Sequence, residues 1–362
     1  MKTFITTLLA FVALSSSSQT VWIVDNRPSA PTGAHIFSNV TDAIAAASSG
    51  DIIHLTPSQV SYGNWAINKD SLTFFGVGYN PDKEQPAVVS NGTITLNPGV
   101  FGIRLSGLNA TTVSLGTTSG GSIGNVIIEN GEIDFIDGDH NSFAMVLSNI
   151  IIRNCVIGMT YATNTPVIYL DDDGQVSSTS VVIANNIIMG TSSSGATGAI
   201  GVTDAIIRNN LFLGNGAGDF AFSILETSTV SNNIFLGRSP QPDAANAIGN
   251  STFNNNISFS TSDDIFPNGS NGNTGSGNLE GTDPLLSGVT IQDDWDFSFN
   301  PTPDGGSPAL SGGNDGTDIG VTGGTIPYST TGTPLPIIKV LRLPELIQEG
   351  ADVDATIEAE GN

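Results

Sequence analysis

An asparagine recurs at a nearly fixed interval through the middle of this chain, and that recurrence constrains the fold more than any other feature. Asn130, Asn154, Asn185, Asn209, Asn232 and Asn255 each follow a short run such as Ile127-Ile128-Glu129 or Ile206-Ile207-Arg208. Successive positions differ by 24 (130 to 154), 31, 24, 23 and 23 residues. Gly107 and Gly76 extend the series upstream, at steps of 23 (107 to 130) and 31 (76 to 107). Fixed spacing with slight slippage marks a solenoid, here of roughly 23-residue coils.

The neighbouring columns support the alignment. Two residues before the recurring slot stand Phe74, Leu105, Ile128, Ile152, Ile183, Ile207, Val230 and Phe253, all apolar. Two and four residues after it come pairs such as Ile187 and Met189, or Leu211 and Leu213. Apolar positions of period two on both sides of a polar bend predict two strands joined by a turn. Asn or Gly belongs at such a bend because both tolerate the left-handed backbone conformation. Stacked Asn side chains at the slot are expected to bond between coils.

Carrying the alternation straight across the bend predicts that the second and fourth residues after the slot face inward. The third column, Ile133, Ile157, Ile188, Phe212, Phe235 and Ser258, is then expected to face outward. Large apolar groups outside require a cover, for which the tail 335–362 is a candidate, or a binding partner.

The ends fit a capped solenoid. Phe37, Val40, Ile44 and Ala47 share one face of a helix expected near 38–49, suited to covering the open end of the stack. The expected organisation is a signal peptide over 1–19, a β-helix over 20–325, a linker over 326–334 and a β-strand extension over 335–362. Lys2, the apolar run from Phe4 to Leu14 and the small residues Ser15 to Ser18 read as an export signal, so a secreted or cell-surface protein is expected. No later segment is apolar for long enough to cross a bilayer. Cys155 is the only cysteine, so no intrachain disulfide is available and stability must come from stacking. With 10 Lys and Arg against 34 Asp and Glu, a net charge of −24, the chain repels nucleic acid and anionic surfaces.

The run Asp42-Ala43-Ile44 to Gly50-Asp51-Ile52-Ile53, then Tyr62-Gly63 and Leu72 to Gly78, resembles the start of bacterial secreted β-helix proteins of the pectate-lyase-like superfamily. Ser307-Pro308-Ala309-Leu310, Asp318-Ile319-Gly320 and Gly323-Gly324 resemble their closing segment. The likeness spans roughly residues 20–325. It implies an all-β, single-stranded right-handed parallel β-helix with an N-terminal capping helix and a short C-terminal β extension. That fold hosts lyases, hydrolases and adhesins, so activity must be argued from the site.

Insertions in a solenoid become loops, often on the binding face. The second long step, between Asn154 and Asn185, carries Asp171, Asp172, Asp173 and Gly174, and one coil earlier come Asp137, Asp139 and His140. Carboxylates beside a Gly turn suit Ca²⁺, which takes six to eight oxygens, and Asp171–Asp173 are the candidate ligands. Lyases of the superfamily combine such carboxylates with an Arg or Lys base, a role for which Arg238 is a candidate here. A paired-carboxylate hydrolysis would use Asp137 or Asp139 with Asp172 or a neighbour. The expected role is a binding and structural solenoid that engages extracellular carbohydrate or protein. The alternative is a calcium-dependent polysaccharide lyase or glycoside hydrolase.

Overall fold

A computed structural model describes residues 19–28, 30–78, 90–117, 120–138, 144–159, 166–170, 176–190, 198–216, 218–242, 247–291, 295–330, 337–342 and 356–360, the last two stretches as backbone. Two parallel sheets wind through the coils. The first has twelve strands, from Ile36–Phe37 and Val21–Val24 through Gly121–Glu129, Met145–Arg153 and Val176–Ala184 to Thr274–Ser276. The second begins with Gly63–Ile67, Ser90–Leu96, Asn109–Leu115 and Glu132–Asp137. Past that strand it divides into two columns, one starting at Val156–Ile157 and the other at Ile168–Tyr169. This is the parallel β-helix that the repeat predicts, wound in the right-handed sense that parallel crossovers favour.

The slot is a left-handed bend. Asn130, Asn154, Asn185, Asn209, Asn232 and Asn255 have φ between 52° and 56°, and Gly107 and Gly277 occupy the same position in flanking coils. A second left-handed column stands five residues earlier, at Asn125, Asn149, Ser180, Asp204, Thr227 and Asn250. Each coil thus turns twice around a short strand of the first sheet. In that strand the column two residues before the slot is in register, Ile128 on Ile152 on Ile183 on Ile207 on Val230 on Phe253, and fully buried.

After the slot the expected orientation is reversed. Ile133, Ile157, Ile188, Phe212 and Phe235 stack inside the solenoid, each at most 2% exposed, with Ser258 continuing the column fully buried. A left-handed residue interrupts the pleat, so the alternation slips by one position across the bend. The slot Asn faces out, the next residue faces in, and the phase stays shifted. Ile187, Met189, Leu211, Leu213, Ile234, Leu236 and Ile257 therefore lie outside, where Trp295, Ala309, Ile319, Val321 and Tyr328 pack over them. Among the described residues the cover is a strap within 295–328.

The slot Asn side chains hold that strap instead of one another. Asn154 Nδ2 donates to Pro327 O (3.0 Å), Asn185 Nδ2 to Val321 O and Gly323 O (3.0 and 2.8 Å), and Asn255 Nδ2 to Gly312 O (3.1 Å). The inter-coil ladder comes from the residue after the slot. Asn186 N donates to Asn210 Oδ1, Asn210 N to Asn233 Oδ1 and Asn233 N to Asn256 Oδ1, each at 2.9 Å, and Asn256 N donates to Asn278 Oδ1 at 3.0 Å. Each ladder Nδ2 also satisfies an interior carbonyl, as Asn233 does with Ile207 O.

Cys155 occupies this ladder position one coil upstream. Its N–H donates to Asn186 Oδ1 (3.0 Å) and its thiol to Arg153 O (3.2 Å). Burial pushes the thiol up to about 12, against a lesser pull from the Gly131 N–H and despite the charge of Arg153. The thiolate is the reactive form. At pH 8 the folded protein should therefore resist a thiol reagent and react at the free-cysteine rate only once unfolded. Rapid labelling of native protein would contradict this burial.

Inside the later coils the aromatic rings stack along the axis. Phe212 and Phe235 stack with parallel rings 4.6 Å apart, and Phe266 meets Phe235 edge-on at 5.6 Å. Upstream, a helix at Val40–Ala46 packs against the first strands, its N-terminus capped by Asn39 Oδ1 accepting from Asp42 N (2.9 Å). Lys69 Nζ closes the other end by donating to Ala45 O and Ala47 O, both at 2.7 Å. At the C-terminus, Ile337–Arg342 and Thr356–Glu360 pair antiparallel, which is the short β extension. Among the described residues no helix is long and apolar enough to cross a membrane.

Candidate functional site

The acidic region starts from adjacent coils. Asp137 ends the strand Glu132–Asp137 and pairs in register with Tyr169, and Gly138 N donates to Tyr169 O at 2.7 Å. A Cβ on Gly138 would stand 2.7 Å from Leu147 Cδ1 and 3.1 Å from Leu170 Cδ2, so the chain leaves these two coils in close contact. Asp137 is half-buried there. Asp139, His140, Asp171, Asp172 and Asp173 lie outside the described residues. Among the described residues, no group of three metal-ligating side chains is assembled.

Glu132, at the start of the same strand, has the most displaced carboxyl of this region. Burial pushes it up to about 7, the neighbouring Asp134 carboxylate adds to the rise, and a hydrogen bond with Asn109 opposes it. The folded protein thus holds this proton to higher pH than the unfolded chain, where the group titrates near 4.5. The stability it supplies is complete below pH 4.5 and is lost as pH rises through 7. Glu132→Gln should flatten the pH dependence of the urea midpoint between pH 4.5 and 7 and raise the midpoint at pH 8. An unchanged slope would show that this carboxyl is not linked to folding.

Arg238 does not join the acidic corner as an exposed base. It is 1% exposed, with Nε donating to Leu213 O (3.0 Å), Nη1 to Phe220 O (3.0 Å) and Nη2 to Gly190 O (2.7 Å). A guanidinium that donates to three backbone carbonyls ties neighbouring coils together. On the outer face of the first sheet, Glu129 (3% exposed) accepts from Arg104 Nε at 2.6 Å and from Arg153 Nε at 2.8 Å. These cations bridge three coils. The positions of Glu129, Arg104 and Arg153 follow from the slot register.

A different, solvent-open cleft lies at the N-terminal corner. It has a volume of about 540 Å³ and is lined by Ser49, Asn68, Lys69, Asp70, Asn97 and the Pro98–Val100 turn. No motif signalled it, because its residues are turn formers brought together only by coil stacking.

The two sheets, the left-handed corners and the internal Asn ladder define the chain as a parallel β-helix protein. No protein-family model matches it, and no curated protein matches it. Among solved structures, the pectate lyase Pel9A is similar over 84% of this chain and 96% of its own, at 12% identity and a TM-score of 0.39. A variant of the PL6-family alginate lyase AlyGC is similar over 72% of this chain and 51% of its own, at 14% identity and a TM-score of 0.23. Neither overlap bears on the chemistry of this chain.

Proposed function

We propose that this protein is a secreted or cell-surface β-solenoid with a binding and structural role, engaging neutral extracellular carbohydrate. The observation that carries this reading is a straight outer track on the first sheet. Strand register aligns Thr73, Arg104, Ile127, Ile151, Val182, Ile206, Thr229, Thr252 and Thr274 in one column three residues before the slot, apolar from Ile127 to Ile206 and hydroxyl-bearing beyond. Coils repeat about every 4.8 Å, so the column presents a linear surface suited to an extended chain. The net charge of −24 disfavours an anionic polymer without a bridging cation.

The test is a polysaccharide panel, with and without calcium, scoring bound polymer separately from unsaturated or reducing-end products. Binding without product is expected, weakened when Ile151 and Ile206 are replaced by Asp. Product formation that is lost in Asp172→Ala would replace this reading with the second one, a calcium-dependent lyase or hydrolase. The pairing of Asp137 with Tyr169 favours that alternative, because it starts the segments 139–143 and 171–175 from neighbouring coils.

A further inference from the structure

We infer that the N-terminal corner cleft is a binding site for a neutral polyhydroxylated ring, a sugar unit held by the edge that carries its hydroxyls. The inference rests on the carbohydrate reading above and assigns it a site away from both the outer track and the acidic corner. Ile67 pairs with Leu96, and Asn97 N donates to Ile67 O at 2.9 Å. Asn68 and Asn97 therefore follow in register, one coil apart, at the rim of the cleft.

Neither amide side chain makes a hydrogen bond among the described residues, and neither does the Ser49 hydroxyl. An amide offers one acceptor oxygen and two donor hydrogens, so two amides on adjacent coils, about 4.8 Å apart, can serve separate hydroxyls of one ring, each both donor and acceptor. The backbone around them is fixed. Asp70 Oδ1 accepts from Phe101 N at 2.8 Å, leaving Oδ2 for a ligand, and Lys69 spends two of its three donors on the helix end.

Charge and shape select the ligand class. Lys69 and Asp70 cancel, so the cleft carries no net charge to attract an ion. Pro98 and buried Val100 give it an apolar wall for ring C–H groups. Its volume of about 540 Å³ sits within the about 300–1,000 Å³ of small-ligand sites.

The experiment titrates the full chain with neutral gluco-, manno-, xylo- and galacto-oligosaccharides, with oligogalacturonate as the charged control. Wild type should bind at least one neutral oligosaccharide, and Asn68→Ala/Asn97→Ala should bind it at least tenfold more weakly with an unchanged melting temperature. Ser49→Trp, which fills the cleft from its rim, should have the same effect. If wild type binds but both variants retain its affinity, the sugar sits elsewhere: the site is wrong and the carbohydrate reading stands. If wild type binds no neutral sugar at millimolar concentration, the reading and the site fall together. A preference for oligogalacturonate would overturn the ligand class.

Discussion

Asn233→Leu is expected to lower the stability of the folded chain by about 2–5 kcal/mol, read as a downward shift of the urea midpoint. Asn233 is fully buried, and its Oδ1 is the acceptor for Asn210 N and for Asn210 Nδ2. Its own Nδ2 donates to Ile207 O, Ser231 O and Asn256 Oδ1. Leucine is close in size, so the change creates little cavity. What it leaves is a buried amide N–H with no acceptor and carbonyls short of a donor, each costing about 1–3 kcal/mol. Upstream the same position holds Cys155, Gly131 and Leu108, so the amide ladder is confined to the later coils. Cys155→Leu should accordingly cost less than Asn233→Leu. Equal shifts for the two would mean that packing, and not amide bonding, sets the effect.

Ending the chain at residue 282 should be more damaging. It strips Trp295, Ala309, Ile319, Val321 and Tyr328 from an outer face made of Ile187, Leu211, Ile234, Ile257 and their neighbours. A contiguous apolar face on a soluble repeat is an association surface. The truncated chain is expected to self-associate, to bind a hydrophobic dye several-fold more strongly and to melt well below the full chain. Trp295→Ala is the milder companion, expected to cost about 3–5 kcal/mol as a large buried aromatic. A truncated chain that stays monomeric and dye-silent would show that the strap is not needed as a cover.

The coil length and the interior column before the slot were legible because a left-handed bend admits few residues and repeats at fixed spacing. The second bend column escaped notice because Ser180, Asp204 and Thr227 fill it as well as Asn. The direction of the faces after the slot was not legible for a different reason. In Ile234-Phe235-Leu236 all three residues are apolar, since the interior and the strap bury both faces, and alternation then carries no sign. Nothing near those residues signals a cover that arrives from far along the chain. From sequence Arg238 is a candidate base after a strand, and only the assembled coils reveal three carbonyls converging on it. The acid around Asp137 and Asp171–Asp173 is legible as a cluster in the sequence, while the corner cleft is invisible there, because Asn68 and Asn97 stand 29 positions apart (68 to 97) and meet only through stacking.

The strap also changes how the molecule comes apart. In a simple stack each coil touches only its neighbours, so the end coil can fray alone and the rest can follow one at a time. Here Asn154 is bonded to Pro327 and Asn255 to Gly312, so one continuous stretch of chain is stitched to the first and last of five successive coils. The coil that carries Asn255 cannot peel away without loosening the stitch that also secures the coils above it. Pulled from its C-terminus, the strap should come away first, stitch by stitch from Pro327 to Gly312, and only then release the coils it secures.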